Sequence, residues 1–230
     1  VGASQNAPLR SGSIALPLAR RCTTQVMTTT AFGARMAARP PDTIQTHIAC
    51  FGVWEPAITA YLTQALAPGD CVIDVGANVG YVSLQAAHCT GPSGRVHAIE
   101  ASPSLHAALV ANLALNDAAT VVAHHAAATD RAREVTIHLH DIGNLGASTI
   151  VPSVAWDRGA RQEAMVCGLP LPGIVPEADL RRARLIKIDV EGAEWQVLQG
   201  LAPALPYLSA RAELLVEVNA AALRADGATI

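Results

Sequence analysis

Apolar and polar positions fall into a regular pattern from Gly52 onward. Residues 57–67 (AITAYLTQALA) carry apolar side chains at helical spacing, opened by Glu55 and Pro56 and closed by Pro68 and Gly69. A β-branched run, CVIDV, leads through a Gly-rich turn into the helix-like YVSLQAAHC. The alternation then repeats. RVHAIEAS reads as a strand, PSLHAALVANLAL as a helix with Ser102 as its N-cap, and TVVAHHAAA as a strand. EVTIHLH alternates with period two, which places His138 and His140 on one face, and NLGASTIV reads as its hairpin partner. A Pro- and Gly-rich connector, LPLPGIVP, precedes the strand LIKIDV, the helix EGAEWQVLQGL with Trp195 expected in the core, and the strand AELLVEV. Strands alternating with helices predict βαβ units and a doubly wound, mostly parallel α/β sheet.

Composition sharpens this picture at the ends. Hydrophobic residues make up 51% of the chain and charged residues 15%, so a sizeable core is available in one domain. The first acidic residue is Asp42, and the stretch before it is rich in Ser, Thr, Ala and Arg. Residues 1–41 are therefore expected to form a poorly ordered or leader-like segment, with the folded domain spanning 42–230. The formal charge of −3 and the lack of a long basic run disfavour nucleic acid as a main partner. No apolar run approaches membrane-spanning length. The five cysteines are scattered, with no C-x-x-C, and read as free thiols in a reducing, cytoplasmic setting and not as a metal or disulfide framework.

Two stretches carry candidate chemistry. The first is Asp74-Val75-Gly76-Ala77-Asn78-Val79-Gly80, placed between a strand and a helix. Gly76 and Gly80 allow a tight turn and close packing, but Asn78 stands where the dinucleotide fingerprint needs its second glycine. That speaks against a nicotinamide dehydrogenase and for a nucleoside cofactor without phosphates. Glu100 ends the next strand, where a carboxylate accepts hydrogen bonds from ribose hydroxyls; Asp74 can accept one from an ammonium group, directly or through water. The second stretch is LIKIDVEG. Lys187, Asp189 and Glu191 share one face of an extended strand, an arrangement that is either functional or a Lys187–Asp189 ion pair with Glu191 starting a helix. His138 and His140 lack a third ligand of clear spacing, so no metal site is expected.

Taken in order, VIDVGANVGYVSL, AIEASP, NLALN, the D-x-x-N-x-G-x-S stretch from Asp141 to Ser148, LIKIDVEGAEWQVLQGL and LLVEVN resemble the FkbM family of S-adenosylmethionine-dependent methyltransferases, as does Trp54-Glu55-Pro56 ahead of them. The resemblance implies a Rossmann-like class I methyltransferase fold, S-adenosyl-L-methionine as cofactor, and O-methylation of a sugar, polyketide or similar small-molecule or glycan hydroxyl. It implies cofactor binding by Glu55, Asp74, Gly76, Ala77, Asn78, Gly80, Glu100, Ala101, Ser102 and Asp130. Lys187, Asp189 and Glu191 fall to catalysis, and Asn144, Ser148 and Glu217 to the acceptor. Asn116 is read as a helix C-cap. The antiparallel strand pair that closes such sheets is not visible after Asn219, which leaves open a non-catalytic cofactor-binding or interaction module with the same fold.

Overall fold

A computed structural model describes residues 24–218 apart from 141, 142, 144 and 158. The chain opens with a hairpin, β1 (Val26–Thr29) and β2 (Arg35–Ala38), followed by helices α1 (Thr43–Phe51) and α2 (Pro56–Ala65). Then come β3 (Cys71–Val75), α3 (Tyr81–Thr90), β4 (Arg95–Glu100), α4 (Pro103–Ala114) and β5 (Val121–His125). A second sheet is made by β6 (Ala127–Ala128), β7 (Arg133–Leu139) and, after the short helix α5 (Pro152–Asp157), β8 (Arg161–Leu169). Helices α6 (Leu171–Ile174) and α7 (Glu177–Arg181), strand β9 (Ala183–Ile188), helix α8 (Glu194–Leu201) and strand β10 (Glu213–Val216) complete the described elements.

The main sheet has the order β10-β9-β3-β4-β5, and every neighbouring pair is parallel. This is the doubly wound, parallel α/β arrangement that the alternation predicts, and it agrees with the Rossmann-like class I methyltransferase fold that the resemblance implies. Strands buried on both faces must be apolar on both. In β3, Val72 joins a core with Met36, Ile48, Leu84 and Leu109, whereas Ile73 and Val75 join one with Leu171, Leu180, Ile186 and Val197. Strand order reverses at β3, so a crevice opens beyond the carboxyl ends of β3 and its neighbours, where ligands bind in open α/β sheets.

Four readings are corrected here. The boundary expected at residue 42 falls within ordered structure: Met36 and Ala38 of the hairpin are 1% and 2% exposed, and Met36 belongs to the main core. Two asparagines, Asn112 in α4 and Asn116 just past its end, hold that hairpin. Asn112 accepts from the Ala37 amide and donates to the Val79 carbonyl, both at 2.8 Å. Asn116 does donate to its own helix, at the Asn112 carbonyl, but it also accepts from the Arg35 amide and donates to the Arg35 carbonyl. Second, the partner of β7 is β8, antiparallel, and NLGASTIV supplies a 3₁₀ turn and a single bridge between His138 and Thr149. Third, the connector LPLPGIVP contains the short helix α6. Fourth, Trp195 faces outward at 39% exposure, because α8 buries Glu194, Val197, Gly200 and Leu201 instead. The question of a closing strand pair lies outside the described residues.

Among the described residues, no helix is long and apolar enough to cross a membrane.

Candidate functional site

The crevice is a cavity walled by the segments that leave β3, β4 and β9, by residues 126–128 after β5, and by Glu217 after β10. Each segment turns for a local reason. Gly76 has φ +80, and a Cβ there would sit 1.8 Å from the Asp189 carbonyl oxygen, so only glycine lets the ends of β3 and β9 approach this closely. Gly76→Ala should lower Tm sharply in a thermal melt. The positive φ alone costs about 1–3 kcal/mol, and the backbone collision adds to it.

All five amides from 76 to 80 are engaged internally. Those of Gly76 and Ala77 donate to the Ile99 carbonyl, that of Asn78 to Glu100 Oε2, that of Val79 to Asn78 Oδ1, and that of Gly80 to the Ala77 carbonyl. A phosphate-binding loop presents free amides to its ligand. This loop presents none, and Lys187 is the one lysine or arginine among the described residues that line the cavity. The turn at Asn78, with φ 51, therefore suits a ligand without phosphates, as its missing second glycine predicts.

Glu100 stands at the wall beside that loop, 7% exposed, accepting from the Asn78 and Ser102 amides at 2.8 Å each. Burial pushes its carboxyl up to about 7, although the two amides pull against that shift. Each carboxylate oxygen retains a lone pair for a further donor. Ser102 caps α4, accepting from the Leu105 amide, and its hydroxyl donates to Glu163 at 2.6 Å. Ala126, Ala127 and Ala128 give the cavity a small-residue, apolar stretch of wall, and Ile99 and Leu105 also line it.

At the other end lies a charged group around Lys187. Its ammonium is 2.9 Å from Asp189 Oδ2 and 3.7 Å from Asp74 Oδ1, and Asp74 Oδ2 accepts from Ser83 Oγ at 2.6 Å. Burial opposes the Lys187 charge, but the Asp189 and Asp74 carboxylates outweigh it and hold the lysine above its usual range. Burial raises Asp74, offset by Lys187 and Ser83. For Asp189 the opposing lysine wins over burial, and its carboxyl is lowered. Glu217 is pushed up to about 8, first by its hydrogen bond with Asp189, then by that residue's charge and by burial. The two carboxyls thus share a proton, with Glu217 donating to the ionised Asp189. Glu55, raised by burial and by Asp189, faces the same group from a left-handed backbone (φ 44). A non-glycine residue held there stores about 1–3 kcal/mol of strain.

Most of the residues singled out from the sequence meet at this cavity: Glu55, Gly76, Ala77, Asn78, Glu100, Ala101, Ser102, Ser148, Lys187, Asp189, Glu191 and Glu217 all line it. Three do not. Asp74 is fully buried behind the loop and engages Ser83 and Lys187, so it orders the site from below. Gly80 starts α3, where a Cβ would lie 2.7 Å from Leu109 Cδ1; its role is helix packing. Asp130 pairs with the Arg131 and Arg133 guanidiniums, which draw its carboxylate away from the cavity. Asn144 lies outside the described residues. Glu191 adopts φ 53 just past β9, so the extended register that would align it with Lys187 and Asp189 ends before it.

Sequence reasoning missed Glu194. Buried at 1% exposure, it accepts from the Gly192 amide at 2.9 Å and the Val190 amide at 3.3 Å and so shapes the turn carrying Glu191. It also missed Asp42, which accepts from the Gln45 and Leu145 amides and ties α1 to the 3₁₀ turn beside the cavity. The available signal for Glu194 is a buried acid among apolar neighbours, and for Asp42 an N-capping residue directly ahead of a helix.

The chain is similar to proteins of known activity. It is 31% identical to the 31-O-demethyl-FK506 methyltransferase FkbM of Streptomyces tacrolimicus, over 60% of this chain and 62% of that one. It is likewise 31% identical to the methyltransferase sdnD of Sordaria araneosa, over 56% and 60%. The chain thus spans about three fifths of the length of these relatives. Among solved structures, a precorrin-6y C5,15-methyltransferase from Geobacter metallireducens aligns over 76% of this chain and 69% of that one, with 14% identity and a TM-score of 0.45. The family model of the methyltransferase FkbM domain matches residues 74–222. With that match over more than half of its length, the chain belongs to the FkbM methyltransferase domain family.

Proposed function

We propose that the cavity binds S-adenosyl-L-methionine and that the protein methylates a hydroxyl of a small metabolite, a sugar or a polyketide. The observation that carries this reading is the pairing, in one cavity, of a ribose-type acceptor at Glu100 with a carboxylate-rich end at Asp189, Glu217 and Glu55. Glu100 accepts from the two ribose hydroxyls, and the alanines 126–128 give the adenine an apolar wall. A loop with no free amides has nothing for a phosphate and needs nothing for this cofactor. The acids at the far end favour an ammonium and a sulfonium cation.

When bound, the cofactor supplies an electrophilic methyl group. The protein's task is to place the acceptor oxygen in line with it and to take the hydroxyl proton. The Asp189–Glu217 pair is positioned for the second step. Once its shared proton has left, it accepts the hydroxyl proton as the oxygen–carbon bond forms. Lys187 keeps Asp189 ionised and oriented. The rate should therefore rise with pH up to about 8, the range set by Glu217, and Glu217→Gln should abolish that limb of the pH–rate profile.

Glu100 gives an independent pH signature. Ribose hydroxyls donate to the ionised form, whereas burial holds the empty site's carboxyl at about 7. Affinity for S-adenosylhomocysteine should weaken as pH falls below 7, approaching about tenfold per unit. Glu100→Gln should flatten the dependence.

Transfer of a labelled methyl group to a panel of sugars and polyketide alcohols tests the reading as a whole. Incorporation that requires Asp189 supports it. Cofactor binding with no transfer to any acceptor would favour a binding module of the same fold.

A further inference from the structure

Away from the cavity, at the opposite end of β3, three potential ligands from three elements meet. Cys71 begins β3, His97 lies within β4, and Asp179 belongs to α7. One ligand atom from each lies within 4.8 Å of the others, and Cys71 and His97 are 1% and 2% exposed. Cys71 is four residues upstream of Val75 at the cavity, a distance of about 13 Å along a strand, so this cluster takes no part in methyl transfer. We infer that Cys71 Sγ, His97 Nε2 and Asp179 Oδ2 form a structural site for a divalent metal of the zinc type, with water as fourth ligand, that staples α7 to the sheet.

The donor set suits such an ion. Thiolate, imidazole and carboxylate are the ligands zinc selects, and a thiolate with a carboxylate neutralises its charge. An ion central to three atoms so spaced is within about 2.8 Å of each, against bond lengths of about 2.0–2.3 Å, so small side-chain movements complete the coordination. The outer partner of His97 is in place: its Nδ1 is 2.9 Å from His124 Nε2. Its Nε2 is 2.9 Å from Asp179 Oδ2, a hydrogen bond that the ion replaces. A ligating histidine needs such a partner on its other nitrogen. Arg182 holds Asp179 through the other oxygen, Oδ1, at 2.8 Å and leaves Oδ2 to the ion.

Protons balance in this arrangement. Without metal, His97 donates from Nε2 to Asp179 and accepts at Nδ1 from His124. On binding, His97 gives up its Nε2 proton and takes that of His124 on Nδ1, and His124 takes one from solvent on its own Nδ1. The Cys71 thiol loses its proton, so one proton is released overall. Burial pushes that thiol up to about 11, which makes binding tighter at higher pH. The sequence shows no spaced ligand motif because the three residues are joined only by the fold.

Cobalt titration of the chelator-treated full chain tests the site. The expected result is a thiolate-to-cobalt absorption band that saturates at one equivalent, is removed by Zn²⁺ and is lost in Cys71→Ser. Asp179→Asn, at a partly exposed position, should weaken Co²⁺ binding at least about tenfold and remove the rise in Tm that Zn²⁺ gives the wild type. No saturable band, or a band that survives in Cys71→Ser, would overturn the assignment. If Cys71→Ser does not fold, unchanged Co²⁺ affinity in Asp179→Asn overturns it alone.

Discussion

Asp189→Asn lowers turnover by roughly 10²–10⁴, the range for a lost general base, while affinity for S-adenosylhomocysteine, which carries no sulfonium charge and keeps the other acids for its ammonium, changes far less. The substitution keeps the side chain's size and removes its charge. Asparagine cannot accept the hydroxyl proton, and it no longer shares one with Glu217, whose raised carboxyl depends first on Asp189. Steady-state kinetics beside calorimetry separates the two effects. A variant that loses stability but keeps normal activity per folded molecule would make the Lys187–Asp189 contact purely structural.

Lys187→Met has the largest expected effect on stability. Lys187 is 3% exposed and is the cation shared by Asp189 and the fully buried Asp74. Methionine fills similar space and leaves two carboxylates without their counter-charge. Removing one partner of a buried ion pair costs about 3–5 kcal/mol, a large share of a domain's stability. The loss has a definite pH dependence. Without Lys187, the already raised Asp74 rises further and Asp189 rises above its unfolded value, so the penalty is full at neutral pH and shrinks as pH falls and both acids protonate. Denaturant titrations of wild type and variant at pH 7 and pH 5 measure it. An equal deficit at both would contradict the charge argument.

The main sheet was legible because its strands are short apolar runs bounded by glycine turns, and burial on both faces demands that pattern. Among strands with one wet face, β7 shows its period-two alternation, but β8 and the first hairpin do not. β8 (RQEAMVCGL) has a charged start and carries Met165 at 59% exposure, so its pattern resembles a loop. The β1–β2 hairpin is Thr- and Arg-rich, and its place in the domain depends on Asn112 and Asn116, contacts between residues some 75 to 81 positions apart. Such pairings leave no local trace.

At the site, the acids at strand ends were legible because a charge closing an apolar strand needs a reason. Their division of labour was not. Asp74 and Asp189 look alike in sequence, yet one is sealed beneath the loop and the other lines the cavity. Asp130 came from the resemblance alone, and the guanidiniums of Arg131 and Arg133 claim it. Gly76 read as a turn glycine, whereas the Asp189 carbonyl, more than a hundred residues away, is what excludes a Cβ.

Calorimetric titration of the full chain with S-adenosylhomocysteine, alongside Glu100→Gln, decides whether the cavity is a cofactor site. Saturable binding at one site is expected, weakened at least about tenfold in the variant, since each hydrogen bond to a charged group contributes about 1.5–3 kcal/mol. No binding by folded wild-type protein, or equal affinity in the variant, would contradict it.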